Sequence, residues 1–280
     1  MAKSIATLLR APSGAIDLHE FDPRATPGLK KGKKAAKKEQ AGLAERLSTL
    51  QEQLYAEGHT GGTRSVLLVL QGLDTSGKGG TVQHVVGQCD PSGLQIASFG
   101  RPTAEELGHD FLWRIRRQLP RAGKLGVFDR SHYEDVLAVR VRKIADKRTW
   151  GRRYDAINRF EAELAEGGTR IVKSFLHISR EEQQQRLLAR LDDPTKHWKY
   201  NPHDLEDRAL WDEYMVAYAD ALERCSTEAG PWHIIPADRK WYRNWAVTQL
   251  LCEELESLGL EWPKGDFDVA EERRRVLAIP

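Results

Sequence analysis

The stretch GLDTSGKGG occupies residues 72–80 and follows the apolar run SVLLVLQG at 65–72. A phosphate-binding loop has the pattern G-x-x-x-x-G-K-[ST] and joins a buried strand to a helix. Gly72, Gly77 and Lys78 match that pattern, and the segment TVQHVVGQC that comes next is compatible with a helix. The strand-to-helix setting therefore favours a phosphate loop over a glycine-rich turn that only resembles one.

The loop departs from the pattern at the position after its lysine. Gly79 stands where the hydroxyl of Ser or Thr usually binds Mg²⁺. Asp74, inside the loop, offers a carboxylate instead, and Asp129 ends the apolar segment KLGVFD, where this fold class places a second acid beside the loop. Because Mg²⁺ prefers one or two carboxylates together with water and phosphate, we expect Asp74 and Asp129 to be its ligands.

The remaining loop residues predict how a phosphate is held. The backbone N–H groups of residues 73–79 should curl round it, the helix N-terminus should add positive potential, and Lys78 should reach the phosphoryl oxygens. Arg130, directly after Asp129, can bind phosphate through two parallel hydrogen bonds, although a structural salt bridge at a strand end is the alternative. The phosphate-binding glycines that we expect are Gly72, Gly77, Gly79 and Gly80.

Strand and helix patterns alternate along the chain, which predicts an α/β fold: a five-stranded parallel sheet flanked by helices on both faces. The predicted strands are 65–72, 94–100, 124–129, 169–178 and 231–236. The predicted helices are an amphipathic one at 40–57, one at 103–119 with Thr103 and Glu106 as a capping box, a long one from Ser131 past Arg140, one capped by Ser179 and Glu182, and one at 243–258.

Three regions are expected along the 280 residues. Residues 1–38 carry turn signals and end in the lysine-rich run KKGKKAAKK, so we interpret them as a flexible basic arm, mobile or draped on the surface. Residues 39–262 should form the α/β domain that carries the phosphate loop, and 263–280 a C-terminal tail. The lysine run is either a solvated tail or an arm that contacts an anion or a neighbouring subunit.

Composition excludes several classes of protein. No run approaches the roughly 18 apolar residues of a membrane span, and the N-terminus has no apolar segment of signal-peptide length. The three cysteines are far apart, which suits a reducing cytoplasm. The net charge of +2 says little about partners. No helix-turn-helix, zinc finger or RNA-binding signature supports a nucleic-acid partner.

Cations are concentrated in two segments that follow the predicted loop. The first is VRVRKIADKRTWGRR at 139–153. The second, 180–199, lies within SREEQQQRLLARLDDPTKHWKY at 179–200. A solvated surface role is the default for each cation, but the clustering indicates a corridor for a polyanion. From these segments we take Arg140, Arg180, Arg190 and Lys199 as candidates for phosphate binding.

Five ordered blocks resemble the family-2 polyphosphate kinases: GLDTSGKGG, RPTAEELGHDFLWR, FDRSHYEDVLAVRV, SREEQQQRL and KHWKY. The resemblance runs from about 65 to about 255. It implies Mg²⁺-dependent transfer of a phosphoryl group between inorganic polyphosphate and AMP or ADP, on a thymidylate-kinase-like fold. It further implies a homodimer or homotetramer, a basic helical lid, and a catalytic core at the positions of Asp74, Lys78, Asp129 and Arg130, with Arg140 and Arg180 near the phosphates.

The choice of nucleotide stays open at this stage. The blocks HDFLWR and RSHYEDVLAVRV resemble the subgroup that accepts both AMP and ADP, whereas Gly79 and Asp129 resemble the ADP-specific subgroup. Two other functions also remain to be weighed. A conventional ATP-dependent nucleoside or nucleotide kinase would need fewer cations in its lid, and a GTPase-like switch would need an N-K-x-D motif, which the sequence lacks.

Overall fold

The core of the molecule is one five-stranded sheet in which every strand is parallel to its neighbours. A computed structural model describes residues 3–30 and 32–279 of the chain. The strand order is β2-β3-β1-β4-β5, so non-consecutive strands are neighbours and helices make the crossovers. The strands are β1 (Ser65–Gln71), β2 (Leu94–Ser98), β3 (Leu125–Asp129), β4 (Thr169–His177) and β5 (Trp232–Pro236).

The central strand β1 is buried over its whole length, which explains its unbroken apolar sequence. It pairs with β3 on one side and with β4 on the other. Leu70 of β1 lies beside Asp129, the last residue of β3, so both strands end at the same edge of the sheet. The glycine loop and the Asp129-Arg130 pair are therefore neighbours, and the predicted α/β fold is confirmed, with strand bounds that differ by at most two residues.

Helices flank the sheet and form the lid. They are α1 (Ile5–Leu9), α2 (Gly32–His59), α3 (Lys78–His84), α4 (Ala104–Leu107), α5 (Trp113–Arg116), α6 (Ala138–Val141), α7 (Lys147–Glu166), α8 (Arg180–Leu191), α9 (His203–Ala209), α10 (Trp211–Cys225), α11 (Lys240–Glu256) and α12 (Val269–Ala278). None of these helices has the length and apolar character needed to cross a membrane, within the residues that the structure describes.

The single helix expected at 103–119 is wrong, because the segment forms two short helices, α4 and α5. The predicted capping box of Thr103 and Glu106 is present at the start of α4. The helix ends at Gly108, and Asp110 then accepts a hydrogen bond from the backbone N–H of Leu112 at 3.0 Å. Such an Asp turn competes with helical hydrogen bonding, so the chain restarts as α5.

The long helix expected from Ser131 past Arg140 is also broken. Ser131 caps a single 3₁₀ turn, His132–Asp135, by accepting a hydrogen bond from the N–H of Tyr133. The short helix α6 follows, and α7 begins anew after Asp146, whose side chain caps it. Tertiary contacts override the local pattern here, because the side chains of the 3₁₀ turn are held by a buried cluster described below.

The long helix α2 begins at Gly32, eight residues before the bound expected from leucine spacing. The lysines at 33, 34, 37 and 38 therefore lie on its first turns, and α2 packs against α11. Gln40 Nε2 donates to Thr248 Oγ1 at 2.9 Å, and Trp245 Nε1 donates to Glu39 Oε2 at 3.1 Å. The expected domain boundary at residue 39 falls within this helix.

Residues 3–30 are draped on the body of the protein, one of the two arrangements that the sequence left open. Ile5, Leu9 and Leu18 are buried, and Glu253 of α11 accepts hydrogen bonds from the backbone N–H groups of Ile5 and Ala6 at 3.0 and 2.9 Å. At the other end of the chain, the expected C-terminal tail contains α12, which has no buried residue.

Candidate active site

The glycine loop joins β1 to α3 and closes around the lysine side chain. Gly72 and Gly77 have φ angles of +150° and +110°, in a region that side chains rarely adopt. Lys78 opens α3, and its Nζ donates to the carbonyl oxygens of Gly72 and Leu73 at 2.7 and 3.4 Å. Burial, reinforced by the charge of Arg130, lowers the pKa of Lys78. The ammonium group therefore lies inside the loop, where a phosphate would meet it.

The three glycines that flank the lysine differ in what they accommodate. A Cβ on Gly77 would overlap the guanidinium of Arg243, and one on Gly80 would lie 3.0 Å from its Nη2. A Cβ on Gly79 would have no neighbour within 4 Å among the described residues. The overlap and the positive φ therefore require glycine at 77, whereas at 80 the guanidinium would have to shift by only a few tenths of an ångström. Packing does not exclude Ser at 79.

Asp74 and Arg130 form an ion pair at the mouth of the loop. The distance from Asp74 Oδ1 to Arg130 Nη2 is 2.7 Å. Arg130 has a left-handed backbone (φ +64°), rare for a non-glycine residue, and its N–H donates to the carbonyl of Leu70 at 3.1 Å. Burial acts to raise the pKa of Asp74, but the charges of Lys78 and Arg130 outweigh it and hold the pKa below its ordinary value. The carboxylate therefore stays ionised at neutral pH.

Asp74 and Asp129 fit the ligand set of Mg²⁺. Arg130 uses only Oδ1 of Asp74, and Asp129 ends the strand beside the one that leads into the loop. No group of three or more acidic, His or Cys side chains able to hold a metal occurs within residues 3–30 and 32–279. Mg²⁺ is typically held by one or two carboxylates together with water and substrate phosphates, and Asp74 and Asp129 offer two.

A cavity of about 930 Å³ opens in front of the loop. The loop contributes Gly72, Leu73 and Asp74 to its wall. The lid, which is the segment 194–209 ending in α9, contributes Asn201, His203, Asp204 and Asp207. Five guanidinium groups also line it: Arg101, Arg114, Arg130, Arg142 and Arg153. This volume lies within the range of small-molecule sites. Five carboxylates line it beside the five guanidinium groups: Asp74, Glu134, Asp135, Asp204 and Asp207.

Asp135 is a buried carboxylate in the wall of the cavity. Asp135 accepts a hydrogen bond from Arg153 Nη1 at 2.9 Å, and its Oδ2 lies 4.0 Å from Arg114 Nη2. Arg114 also donates to the carbonyl of Gly100 at 2.9 Å. Burial raises the pKa of Asp135 despite these two cations. Arg114 Nη1 also lies 3.7 Å from Glu106 Oε2, so the two arginines at this side of the cavity are balanced by two carboxylates.

The lid places an acid opposite the acid of the loop. Asp204, on α9, pairs with Arg190 of α8 at 3.4 Å. Burial, followed by the negative charge of Asp74, raises the pKa of Asp204 to about 6. The lid therefore stands close enough to the loop for the two carboxylates to repel each other, which favours a cation or a proton between them.

The 3₁₀ turn His132–Asp135 follows Arg130, carries Glu134 and packs against a cluster of side chains with no exposure to solvent. Lys173 of β4 donates to Tyr133 Oη at 2.8 Å and to Glu161 Oε2 of α7 at 2.5 Å. Tyr133 Oη donates to Glu161 Oε1 at 2.8 Å. Burial acts to raise the pKa of Glu161, but Lys173 and His132 together outweigh it and hold the pKa below its ordinary value. His132 and Tyr133 point into this cluster while Arg130 and Glu134 face the cavity.

The predicted site residues fall into two groups. The loop residues, Asp129 and Arg130 are brought together as described above. Arg140 lies apart, paired with Asp220 at 2.5 Å, while Arg180 and Lys199 are exposed and Arg190 holds Asp204. Of the predicted site residues only Gly72, Asp74 and Arg130 line the cavity, and contact of the whole set with phosphate stays a prediction.

The interpretation of the two cationic segments as a corridor also needs refinement. Many of these cations have partners within the protein: Arg140 with Asp220, Arg142 with Asp207, Arg153 with Asp135, Arg186 with Glu182, Arg190 with Asp204 and Lys196 with Asp193. Sequence clustering cannot separate paired cations from unpaired ones, because four of these six carboxylate partners come from other elements.

Two arginines behind the loop had no specific role in the sequence analysis. Arg186 of α8 donates to the carbonyl oxygens of Thr75 and Ser76 at 2.8 and 3.0 Å. Arg243 of α11 donates to the same carbonyl of Ser76 at 3.4 Å. Arg186 was included only as a member of a cationic cluster, and Arg243 begins the apolar helix at 243–258. An arginine within a run of core residues is the signal that could have singled out Arg243.

A glycine loop at the end of the central strand, an acid and an arginine on the next strand, and a lid over the cavity define a P-loop kinase. The family model described as polyphosphate kinase 2 matches residues 30–261, and the chain belongs to that family.

Individual relatives agree with this assignment. The chain is 50% identical over 253 residues to the AMP/ADP-polyphosphate phosphotransferase of Meiothermus ruber, covering 90% of this chain and 93% of that protein. It is 45% identical to the ADP-polyphosphate phosphotransferase of Rhodopseudomonas palustris, covering 79% of each. The crystal structure of polyphosphate kinase 2 from Arthrobacter aurescens TC1 superposes with a TM-score of 0.96 at 55% identity, covering 99% of this chain and 98% of that one.

Proposed function

We propose that this chain transfers a phosphoryl group between inorganic polyphosphate and adenine nucleotides at the glycine loop, with Mg²⁺ and in both directions. The observation that carries the proposal is the loop with its own acid, Asp74, ion-paired to Arg130 and facing a cavity lined by five guanidinium groups. The names of the two curated relatives support the same substrates. A conventional ATP-dependent kinase is not favoured by these relatives.

The chemistry asks the protein to position and neutralise charge. In the synthetic direction a terminal phosphate oxygen of the nucleotide attacks the terminal phosphorus of the chain, and the bridging P–O bond breaks to release a polyphosphate shorter by one unit. Backbone N–H groups of the loop and the Nζ of Lys78 hold the transferred group, and Arg130 neutralises its developing charge. Mg²⁺, held by Asp74 and Asp129, would neutralise further phosphate charge. The buried cluster behind Tyr133 fixes the turn that aims Arg130.

Both AMP and ADP should serve as acceptors, with ADP the faster. The Meiothermus relative is named for both nucleotides and the Rhodopseudomonas relative for ADP alone. A donor chain of repeating phosphates presents the same charges after sliding by one unit, so one site can serve acceptors of two lengths. Asp129 adds negative charge beside the acceptor, and Asp129→Asn should therefore favour AMP.

The measurement is chromatographic separation of products from AMP, polyphosphate and Mg²⁺, with adenylate kinase excluded. We expect ADP to form from AMP more slowly than ATP forms from ADP. In Asp129→Asn the rate with AMP should rise relative to the rate with ADP. If no ADP forms, the enzyme belongs with the ADP-specific proteins and dual specificity is wrong.

Polyphosphate binding should weaken more steeply with salt than nucleotide binding. A chain of phosphates contacts more cations than one nucleotide does, and exposed charges are screened over about 10 Å at 0.1 M salt. The Kd of each substrate should be measured by titration between low and high NaCl, with AMP as the short-anion control. Equal slopes for the two substrates would indicate an ordinary nucleotide kinase site without a polyanion path.

A further inference from the structure

Two guanidinium groups lie buried behind the phosphate loop, and they differ in how their charge is balanced. Arg186 donates to the loop carbonyls of Thr75 and Ser76 and forms an ion pair with Glu182 at 2.8 Å. It therefore acts as a neutralised clamp that ties the outer side of the loop to α8.

Arg243 has no comparable carboxylate. It is 2% exposed, and no ion pair of residues 3–30 and 32–279 includes it. Its guanidinium donates to the amide oxygen of Asn244 at 2.7 and 3.1 Å and to the carbonyl of Ser76 at 3.4 Å, all neutral acceptors. Burial, with the repulsion of Arg186, lowers the pKa of Arg243 to about 10, so it remains charged at neutral pH.

The position of this charge relates it to the loop. The guanidinium packs against Gly77 and Gly80, on either side of the Lys78-Gly79 step, so closely that a Cβ at Gly77 would overlap it. Arg243 is not among the residues that line the cavity. It acts through the loop backbone rather than by contact with whatever the cavity binds.

A buried charge without a partner of opposite sign costs free energy, and charges interact more strongly through protein than through water. Without ligand, the protein therefore bears the cost of Arg243. A phosphate held by the N–H groups of the loop supplies the missing negative charge. The cost is then relieved on binding, which increases the affinity for the anion.

We propose that Arg243 is a positioning residue that strengthens phosphate binding through the loop, as a buried cation whose charge is balanced only when an anion occupies the loop. This inference rests on the proposed function, since it takes the ligand of the loop to be a phosphate chain. A purely structural Arg243 would instead stabilise the empty protein and leave the affinity for phosphate unchanged.

The test uses the full chain without nucleotide or Mg²⁺ and has two measurements. Calorimetry gives the Kd for tripolyphosphate, and thermal unfolding without ligand gives the Tm. The variants are Arg243→Met, which removes the charge, and Arg243→Lys, which keeps it. The matched control is Arg64→Met, because Arg64 is also partly buried but has its own carboxylate in Glu57. Arg243→Gln provides the Kd if the Met variant does not fold.

Arg243→Met should weaken the Kd for tripolyphosphate about tenfold, or about 1.4 kcal/mol, while its ligand-free Tm is no lower than that of the wild type. Arg243→Lys should bind nearly as the wild type does. Arg64→Met should show a lower Tm and an unchanged Kd. A wild-type Kd in the charge-removed variant would overturn the inference, as would a ligand-free Tm that falls as far as in Arg64→Met. Failure of the wild type itself to bind tripolyphosphate would overturn the proposed function, and this inference with it.

Discussion

Asp74→Asn should lower kcat/KM for phosphoryl transfer on the order of 10²–10³-fold, the effect of removing one charge-stabilising group from an active site. The variant loses the carboxylate proposed to hold Mg²⁺ and the ion pair with Arg130 at 2.7 Å, while the loop backbone is unchanged. The fold should therefore persist. Initial rates at several Mg²⁺ concentrations, with circular dichroism to check folding, provide the measurement.

Gly79→Ser is the matched control, because the space around Gly79 is open and the substitution restores the usual hydroxyl of a phosphate loop. Gly79→Ser alone should retain most activity. Combined with Asp74→Asn it should recover part of the lost activity at high Mg²⁺. Turnover of Asp74→Asn at the wild-type level under ordinary Mg²⁺ would show that Asp74 is not the relocated metal ligand.

Lys173→Met should lower the free energy of unfolding by about 3–5 kcal/mol, the usual cost of removing one partner of a buried ion pair. Lys173 and Glu161 are both fully buried, and Lys173 also donates to the carbonyl of Cys225 at 2.6 Å. Its removal leaves the carboxylate of Glu161 without its cation. Urea denaturation followed by circular dichroism measures the change.

Two further variants separate the charge effect from a simple loss of packing. Lys173→Met/Glu161→Gln removes both charges and should recover a large part of the stability. Ser174→Ala alters the next residue of β4, which is also buried and whose Oγ has no hydrogen-bond partner among the described residues, so it should cost little. A double variant no more stable than Lys173→Met would show that the cluster stabilises the protein through packing rather than through charge pairing.

The sequence predicts the parts of the molecule that depend on local pattern. Strands β1 and β3 are recognisable because they are buried on both faces and are therefore almost continuously apolar. The loop lysine and Asp74 follow from a motif, and the closeness of Asp129 follows from parallel strands ending at one edge. Each of these inferences needs only the order of residues and the geometry of a parallel sheet.

The remaining features depend on contacts between distant elements. The turn at His132–Asp135 looks helical in sequence but is fixed by Glu161 and Lys173, some 30 to 40 residues further along the chain. The role of Arg243 depends on its packing against Gly77, which lies in a different element and far away in sequence. Burial and pairing of this kind decide which cations are free for a ligand, and no local pattern encodes them.

The central claim is that polyphosphate itself is the phosphoryl donor at this loop. The most direct measurement incubates the enzyme with Mg²⁺, long-chain polyphosphate and ADP freed of ATP, and follows ATP by luminescence and chain length by gel electrophoresis. Adenylate kinase activity is excluded by a parallel reaction without polyphosphate. The account predicts that ATP forms only with polyphosphate, that the chains shorten in step, and that Asp74→Asn slows both by the same large factor. Absence of ATP, with unchanged chains and intact protein, would contradict it.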